Sequence, residues 1–329
     1  MNMNAAFLRK VIYIAVIALL LIPLYLLGSP SRRDEGGIVG GGYLAKQRTR
    51  HRLAQVSLGE IDPAGEAMRL ACLGMRGVAA NILWTKANYY KKTEQFDNMA
   101  TTVNQITKLQ PNFIKVWEFQ AHNLSFNTSV EYDDFRFRYH WVVRGLEFLM
   151  QGIRYNREEP RLLWSLGWFT EQKIGRSDEY RQFRPLFRDD GDYHAQLKDH
   201  INLDGPDGAL GPDGKPDNWL VAQKWMLKAQ DLVDNKGASL GGKSPLIFHS
   251  SPSMSLMYYA MAIEEDGYLD EVGRRAWERA GKSWHRYGAR EIPTSYGFDI
   301  RLNNREYLDE QVVELVAKLD GLAPGVREK

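Results

Sequence analysis

Over most of the chain beyond residue 62, hydrophobic and polar positions repeat with a period near 3.6. In QFDNMATTVNQITKL, Phe96, Met99, Ala100, Val103 and Ile106 follow i, i+3, i+4, i+7 spacing, which predicts a helix over 95–109. Pro111, in the turn LQPNF, ends it. Before it, Asp62-Pro63 supplies a capping side chain and a proline at the first helical position, opening AGEAMRLACLGMRGVAANILWTKANYYKK. Further helices are expected over about 140–156, after Pro160 in RLLWSLGWF, and in NWLVAQKWMLKAQDLVD. In the last of these Trp219, Ala222, Trp225, Met226 and Ala229 share one face and Asp217 can cap the start. Few stretches alternate with period two, so the pattern predicts an all-α fold.

The beginning of the chain breaks that pattern. Arg9 and Lys10 precede VIYIAVIALLLIPLYLLG, from Val11 to Gly28, and no charge falls between Val11 and Ser31. About 20 apolar residues in a helix cross a bilayer core. The apolar run is longer than that of a signal peptide and LLGSPS lacks a clean small-residue cleavage site, so an uncleaved anchor is expected over a cleaved leader. Basic residues before the span favour a short cytoplasmic tail and an extracytoplasmic body. Five glycines between 36 and 42 follow, then the basic run 46–52. The expected organisation is a tail (1–10), an anchor (11–28), a flexible Gly-rich and basic tether (29–61), helical repeats (62–190), a Gly/Pro/Asp loop (191–217), further helical pairs (218–290) and a connector with a C-terminal helix (291–329). The connector AREIPTSYGFDIRLNN reads as extended, and the last helix as 305–319.

A helix, a turn, a second helix and a closing proline over about 34 residues resembles a tetratricopeptide repeat. With Ala80 as position one, Leu83, Ala87 and Tyr90 fill three of that family's offsets, and Pro111 falls at its proline position. From Ile114, Trp117, Ala121 and Leu124 fill the same three. After Pro160, Leu163, Leu166 and Gly167 match. A weaker unit spans 253–287, with Leu256, Tyr259, Ala260 and Ile263 on its first helix and Ala276, Trp277, Ala280 and Trp284 on its second. RGVAANILWTKANYY, LQPNFIKVWEF and EEPRLLWSLGWF also resemble a bacterial group that carries a membrane anchor, a Gly-rich tether and a diverged repeat body, with no assigned chemistry. The resemblance implies a tetratricopeptide-like α-solenoid. It also implies a concave face lined by the first helix of each pair: Asn81, Trp84, Asn88, Lys91, Lys115, Glu118, His122, Arg161, Trp164 and Trp168.

Composition narrows the chemistry. A net charge of +2 gives no case for a nucleic-acid partner, and the single Cys72 excludes an intrachain disulfide. The seven histidines form no metal-binding motif, so no metal and no cofactor are expected. Asp133-Asp134 and Asp189-Asp190 read as caps or turns, because adjacent helical residues point apart. Four aspartates lie between 204 and 217, but in a calcium-loop register Pro206 or Lys215 falls where a ligand is needed. GASLGGKS, from Gly237 to Ser244, matches the G-x-x-x-x-G-K-S phosphate loop. That loop needs a strand before it and a helix after it. Here an amphipathic helix precedes it, and PLIFHSSPS reads as a poor helix. A surface loop between helices is therefore expected, and no bound nucleotide. The expected function is a membrane-tethered scaffold that binds a protein or peptide on its concave face. A small-ligand protein or enzyme with a Trp-lined pocket is the alternative.

Overall fold

The computed structural model describes residues 75–205, 207–236, 238, 240–293 and 299–301, and in the N-terminal region 13, 14, 16, 19, 22, 23, 32–34, 37–39 and 43. Ten α-helices run through the described body: α1 (Arg76–Lys92), α2 (Phe96–Leu109), α3 (Ile114–His122), α4 (Phe135–Tyr155), α5 (Pro160–Phe169), α6 (Tyr180–Asp189), α7 (Gly191–Leu197), α8 (Asn218–Lys236), α9 (Pro245–Glu265) and α10 (Glu271–Gly288). Two three-residue antiparallel ladders flank them. β1 (Arg32–Asp34) pairs with β2 (Gly37–Val39), and β3 (Glu291–Pro293) with β4 (Asp299–Arg301). The fold is all-α in character, as the helical period predicts.

Neighbours along the chain are neighbours in space. α1 packs on α2, α2 on α3, α3 on α4 and α4 on α5; then α5 packs on α8, α8 on α9 and α9 on α10. The core follows the same order. A small cluster of Ala80, Ala87, Met99, Val103, Ile106 and Val116 fills the α1–α2–α3 junction. A larger one begins at Trp117 and reaches Ala280, and Phe148 touches both. Close approach depends on two glycines. A Cβ on Gly145 would come within 2.0 Å of Ser125 Oγ, and one on Gly167 within 2.9 Å of the Ala222 carbonyl oxygen. These glycines let α4 seat against the end of α3, and α5 against α8.

Local rules explain most boundaries. Pro111 and the turn after it separate α2 from α3, and the Pro111 carbonyl accepts bonds from Trp117 Nε1 (2.7 Å) and Asn156 Nδ2 (2.8 Å). Asp134 accepts from Arg136 N–H, Asp190 from Tyr193 N–H and Asp217 from Trp219 N–H, so the second member of each Asp pair and Asp217 act as helix caps. Helices α3 and α5 each continue into a π-helical turn, Asn123–Asn127 and Thr170–Gly175. Asn123 is buried there.

Several expectations need correction. The stretch 29–61, expected as a flexible tether, contains the β1–β2 ladder. The loop expected over 191–217 begins with α7, because Asp190 caps it and Tyr193, His194 and Leu197 are buried. Helix α4 starts at Phe135 rather than 140, where Asp134 caps it. PLIFHSSPS is helical: Ser244 caps α9 and Pro245 occupies its first turn, where a missing N–H costs nothing. Trp277, expected on a packed face, is 43% exposed.

Other expectations fall on residues that are not described. These are most of the anchor 11–28, the helix start over 62–74 with Cys72, the basic run 46–52 and the final helix 305–319. No helix among the described residues is long and apolar enough to cross a membrane.

Candidate functional site

A groove of about 630 Å³ runs across α1, α3 and α5. Trp84 and Lys91 come from α1; Lys115, Glu118, Phe119 and His122 from α3; Trp164, Ser165, Trp168 and Phe169 from α5. Lys243 enters from the loop before α9. No lining residue comes from α2 or α4. The α3 set is spaced i, i+3, i+4, i+7, which places all four on one helical stripe.

Aromatic rings form the walls. Trp84 meets Phe119 edge to face at 5.0 Å. Trp164 and Trp168 lie nearly parallel at 6.1 Å, and Trp168 meets Phe169 at 5.5 Å. His122 stacks on Phe126 at 4.6 Å and 9°, and Phe126 continues to Trp168 at 6.0 Å. The first π-turn brings Phe126 to this ladder. The second brings buried Lys173, whose Nζ lies 4.9 Å above the Phe126 ring. Trp164 is fixed by its Nε1–H, which donates to Ser251 Oγ at 2.8 Å.

Charge is unevenly spread. Glu118 is the one carboxylate of the lining. It is already engaged by Lys115 Nζ (3.0 Å) and by the Ser165 hydroxyl (3.0 Å). Lys91 and Lys243 form no ion pair among the described residues. Each instead lies over a ring, Lys91 over Phe119 at 4.9 Å and Lys243 over Trp164 at 4.0 Å. Burial pushes the Lys243 ammonium below its ordinary value; Glu118 pulls it back up, while Lys115 and Arg161 add to the depression. Burial, then Lys91 and Lys173, hold His122 down, so its imidazole is neutral at neutral pH. The groove is therefore an aromatic channel with two ammonium groups that form no ion pair among the described residues. Such a surface suits a partner carrying both acidic and apolar groups.

Seven of the ten residues expected on the concave face line this groove: Trp84, Lys91, Lys115, Glu118, His122, Trp164 and Trp168. Three do not. Asn81 is exposed on α1, where its carbonyl accepts from Thr85 Oγ1. Asn88 turns its amide back onto the Trp84 carbonyl at 3.0 Å. Arg161 forms a forked pair with Glu159, at 2.6 and 2.7 Å, beneath Gly241. Phe119, Ser165, Phe169 and Lys243 were missed. Phe119 could have been found, because it lies four residues after Lys115. Lys243 could not, because only the fold brings its loop to Trp164.

The GASLGGKS loop follows helix α8, as expected, and left-handed Gly241 and Gly242 turn the chain toward α9. Its lysine is half-buried against Trp164 and not a freely solvated surface group. Among the acids of the 204–217 loop, Asp217 and Asp213 face Arg188, at 3.1 and 4.0 Å. No group of three or more metal-ligating side chains occurs among the described residues.

No family model matches the chain, and no solved structure gives a significant match. One curated relative that matches is an isoleucine–tRNA ligase of Buchnera aphidicola subsp. Schizaphis graminum, 36% identical over 73 residues. That stretch is 22% of this chain and 8% of the ligase.

Proposed function

We propose that the chain is a membrane-anchored, tetratricopeptide-like helical scaffold that holds a segment of a partner protein in the α1–α3–α5 groove. The single observation that carries the reading is the groove's composition and shape. It is open, walled by aromatic rings, and lined from three successive odd-numbered helices, as a stacked-pair array would line its inner face. An open channel suits a polypeptide segment better than a small enclosed substrate. Residues 11–28 would hold the body to a bilayer and raise its effective concentration near membrane-bound partners. The orientation expected from the basic residues before the span places the body outside the cytoplasm.

Site-specific crosslinking tests this. A photoreactive amino acid in place of His122, in the groove, should yield discrete protein adducts in native membranes. The same group in place of Arg275, exposed on α10, should not. Adding K91E and K243E together should abolish the groove adducts. Equal adducts from both positions, or adducts indifferent to the double charge reversal, would exclude the groove as the docking site.

A further inference from the structure

A second cavity, of about 530 Å³, lies where the end of α4, the turn into α5, the residues after α7 and the middle of α8 meet. Asn156 fixes the turn, donating from its amide to the carbonyls of Gly152 (2.9 Å) and Pro111 (2.8 Å). That geometry sets Arg154, in the last turn of α4, and Arg157, just beyond it, at the same opening. Lys228 reaches in from α8 and donates to the His200 carbonyl at 2.6 Å. The His200 imidazole completes this side, and its Nε2 is buried with no hydrogen-bond partner among the described residues. Buried Ile153 and Leu163 give the cavity an apolar wall.

Three cations and an imidazole face a single carboxylate, Asp199, in this lining. Neither Arg154 nor Arg157 forms an ion pair among the described residues. We propose that this cavity binds a phosphate monoester, its dianion held by Arg154 and Arg157 and its organic part lying against Ile153 and Leu163. The two guanidinium groups carry the two positive charges that a dianion needs, and their forks suit phosphate oxygens. The volume exceeds what a bare ion needs and falls in the range of small-molecule sites. The electrostatics agree: His200 is held below its ordinary value by burial and then by Lys228, Arg154 and Arg157, against Asp199. A bound dianion offsets those three cations and should raise it. This inference does not depend on the groove reading, since the two cavities share no lining residue.

The same chemistry could arrive as a free metabolite or as a phospholipid headgroup, and two arms separate them. The full chain in detergent is titrated with phenyl phosphate at constant ionic strength, following Trp225, whose ring lies 5.8 Å from His200. It is also incubated with phosphatidic-acid vesicles and with phosphatidylcholine vesicles. Saturable binding of phenyl phosphate, weakened about tenfold in R157Q and further in R154Q/R157Q, supports a soluble phosphate ester. Phosphatidic-acid binding lost in the double variant, with no phenyl phosphate response, supports a headgroup. Both variants alter exposed side chains, and a readout on the parent chain needs no variant: the His200 ring signal should titrate at higher pH when the site is filled. If neither probe saturates, or both bind the double variant as tightly as the parent, the proposal fails.

Discussion

Glu171 carries a carboxyl group into the junction of α5, α8 and α9, where it is 4% exposed. Its partner is the Ser255 hydroxyl, which donates to Oε1. Burial raises its pKa from 4.5 to about 7, while the Ser255 bond and Arg176 pull the other way. In the unfolded chain the group titrates near its ordinary value, so between those two values the folded state binds the extra proton. Stability from this group is therefore lost as pH rises from about 4.5 to about 7, and the cost is complete above that range. The shift corresponds to on the order of 3 kcal/mol. E171Q keeps an acceptor for Ser255 and removes the charge. It should unfold at a higher temperature than the parent at pH 8 and at nearly the same temperature at pH 5. His122, His194, His200 and His249 are all held low by burial and work in the opposite direction over part of this window. The difference between variant and parent melting curves isolates Glu171; an unchanged difference from pH 5 to pH 8 would refute the assignment. Nothing in TEQKIG signals this role, because period alone cannot tell which face a helix buries once it relaxes into a π-turn. The groove was more legible: the tetratricopeptide resemblance implied Lys115, Glu118 and His122 on its first-helix face, whereas Lys243 belongs to a loop whose place only tertiary packing sets.

Elements begin and end where side chains satisfy the backbone, and the junction of α6, α8 and α9 shows how tightly this is tied to charge. Asp217 is fully buried. One oxygen accepts the Trp219 N–H at 2.9 Å and the other accepts Arg188 Nη2 at 3.1 Å. Arg188 also meets Asp266 at 3.3 Å, and Asp266 takes a forked pair from Arg184 at 2.8 and 3.1 Å. D217A removes a cap and one counter-charge of a half-buried guanidinium, so a loss of about 2–4 kcal/mol is expected in urea unfolding. D217N keeps an acceptor for the cap and should lose about half as much; equal losses would mean that the cap contributes nothing beyond the charge. The cap was readable in the sequence because a Gly/Pro/Asp loop met an amphipathic run at Asp217. The start of α9 was not, since Pro245 and Pro252 both read as breakers. Pro245 is harmless in a first turn, and Pro252 is buried within the helix, where packing outweighs the missing backbone bond. Helix α7 was hidden for a different reason: seven residues are too few to display a period.

At the scale of the molecule, most helices pack on a neighbour along the chain while α5 packs chiefly on the more distant α8, and the buried hydrophobic residues among those described run from Ala80 to Ile292. The interfaces of the body draw on none of the described positions of the leader, where Tyr13, Ile14, Val16, Leu19 and Ile22 are all exposed. The anchor proposed at 11–28 and the helical body described from residue 76 should therefore be separable. Deleting residues 1–28 should release the chain from carbonate-washed membranes while its helical circular dichroism and melting temperature stay within about 2 °C of the parent, a shift below about 1 kcal/mol for a body of this size. The groove's chemistry would be intact, so crosslinking through position 122 should persist at high added partner concentration. It should fall in dilute suspension, because the tether no longer confines the two to one surface. A truncated chain that still sediments with membranes would move the attachment to the body itself, and one that melts many degrees lower would show that the leader packs against the helices instead of against lipid.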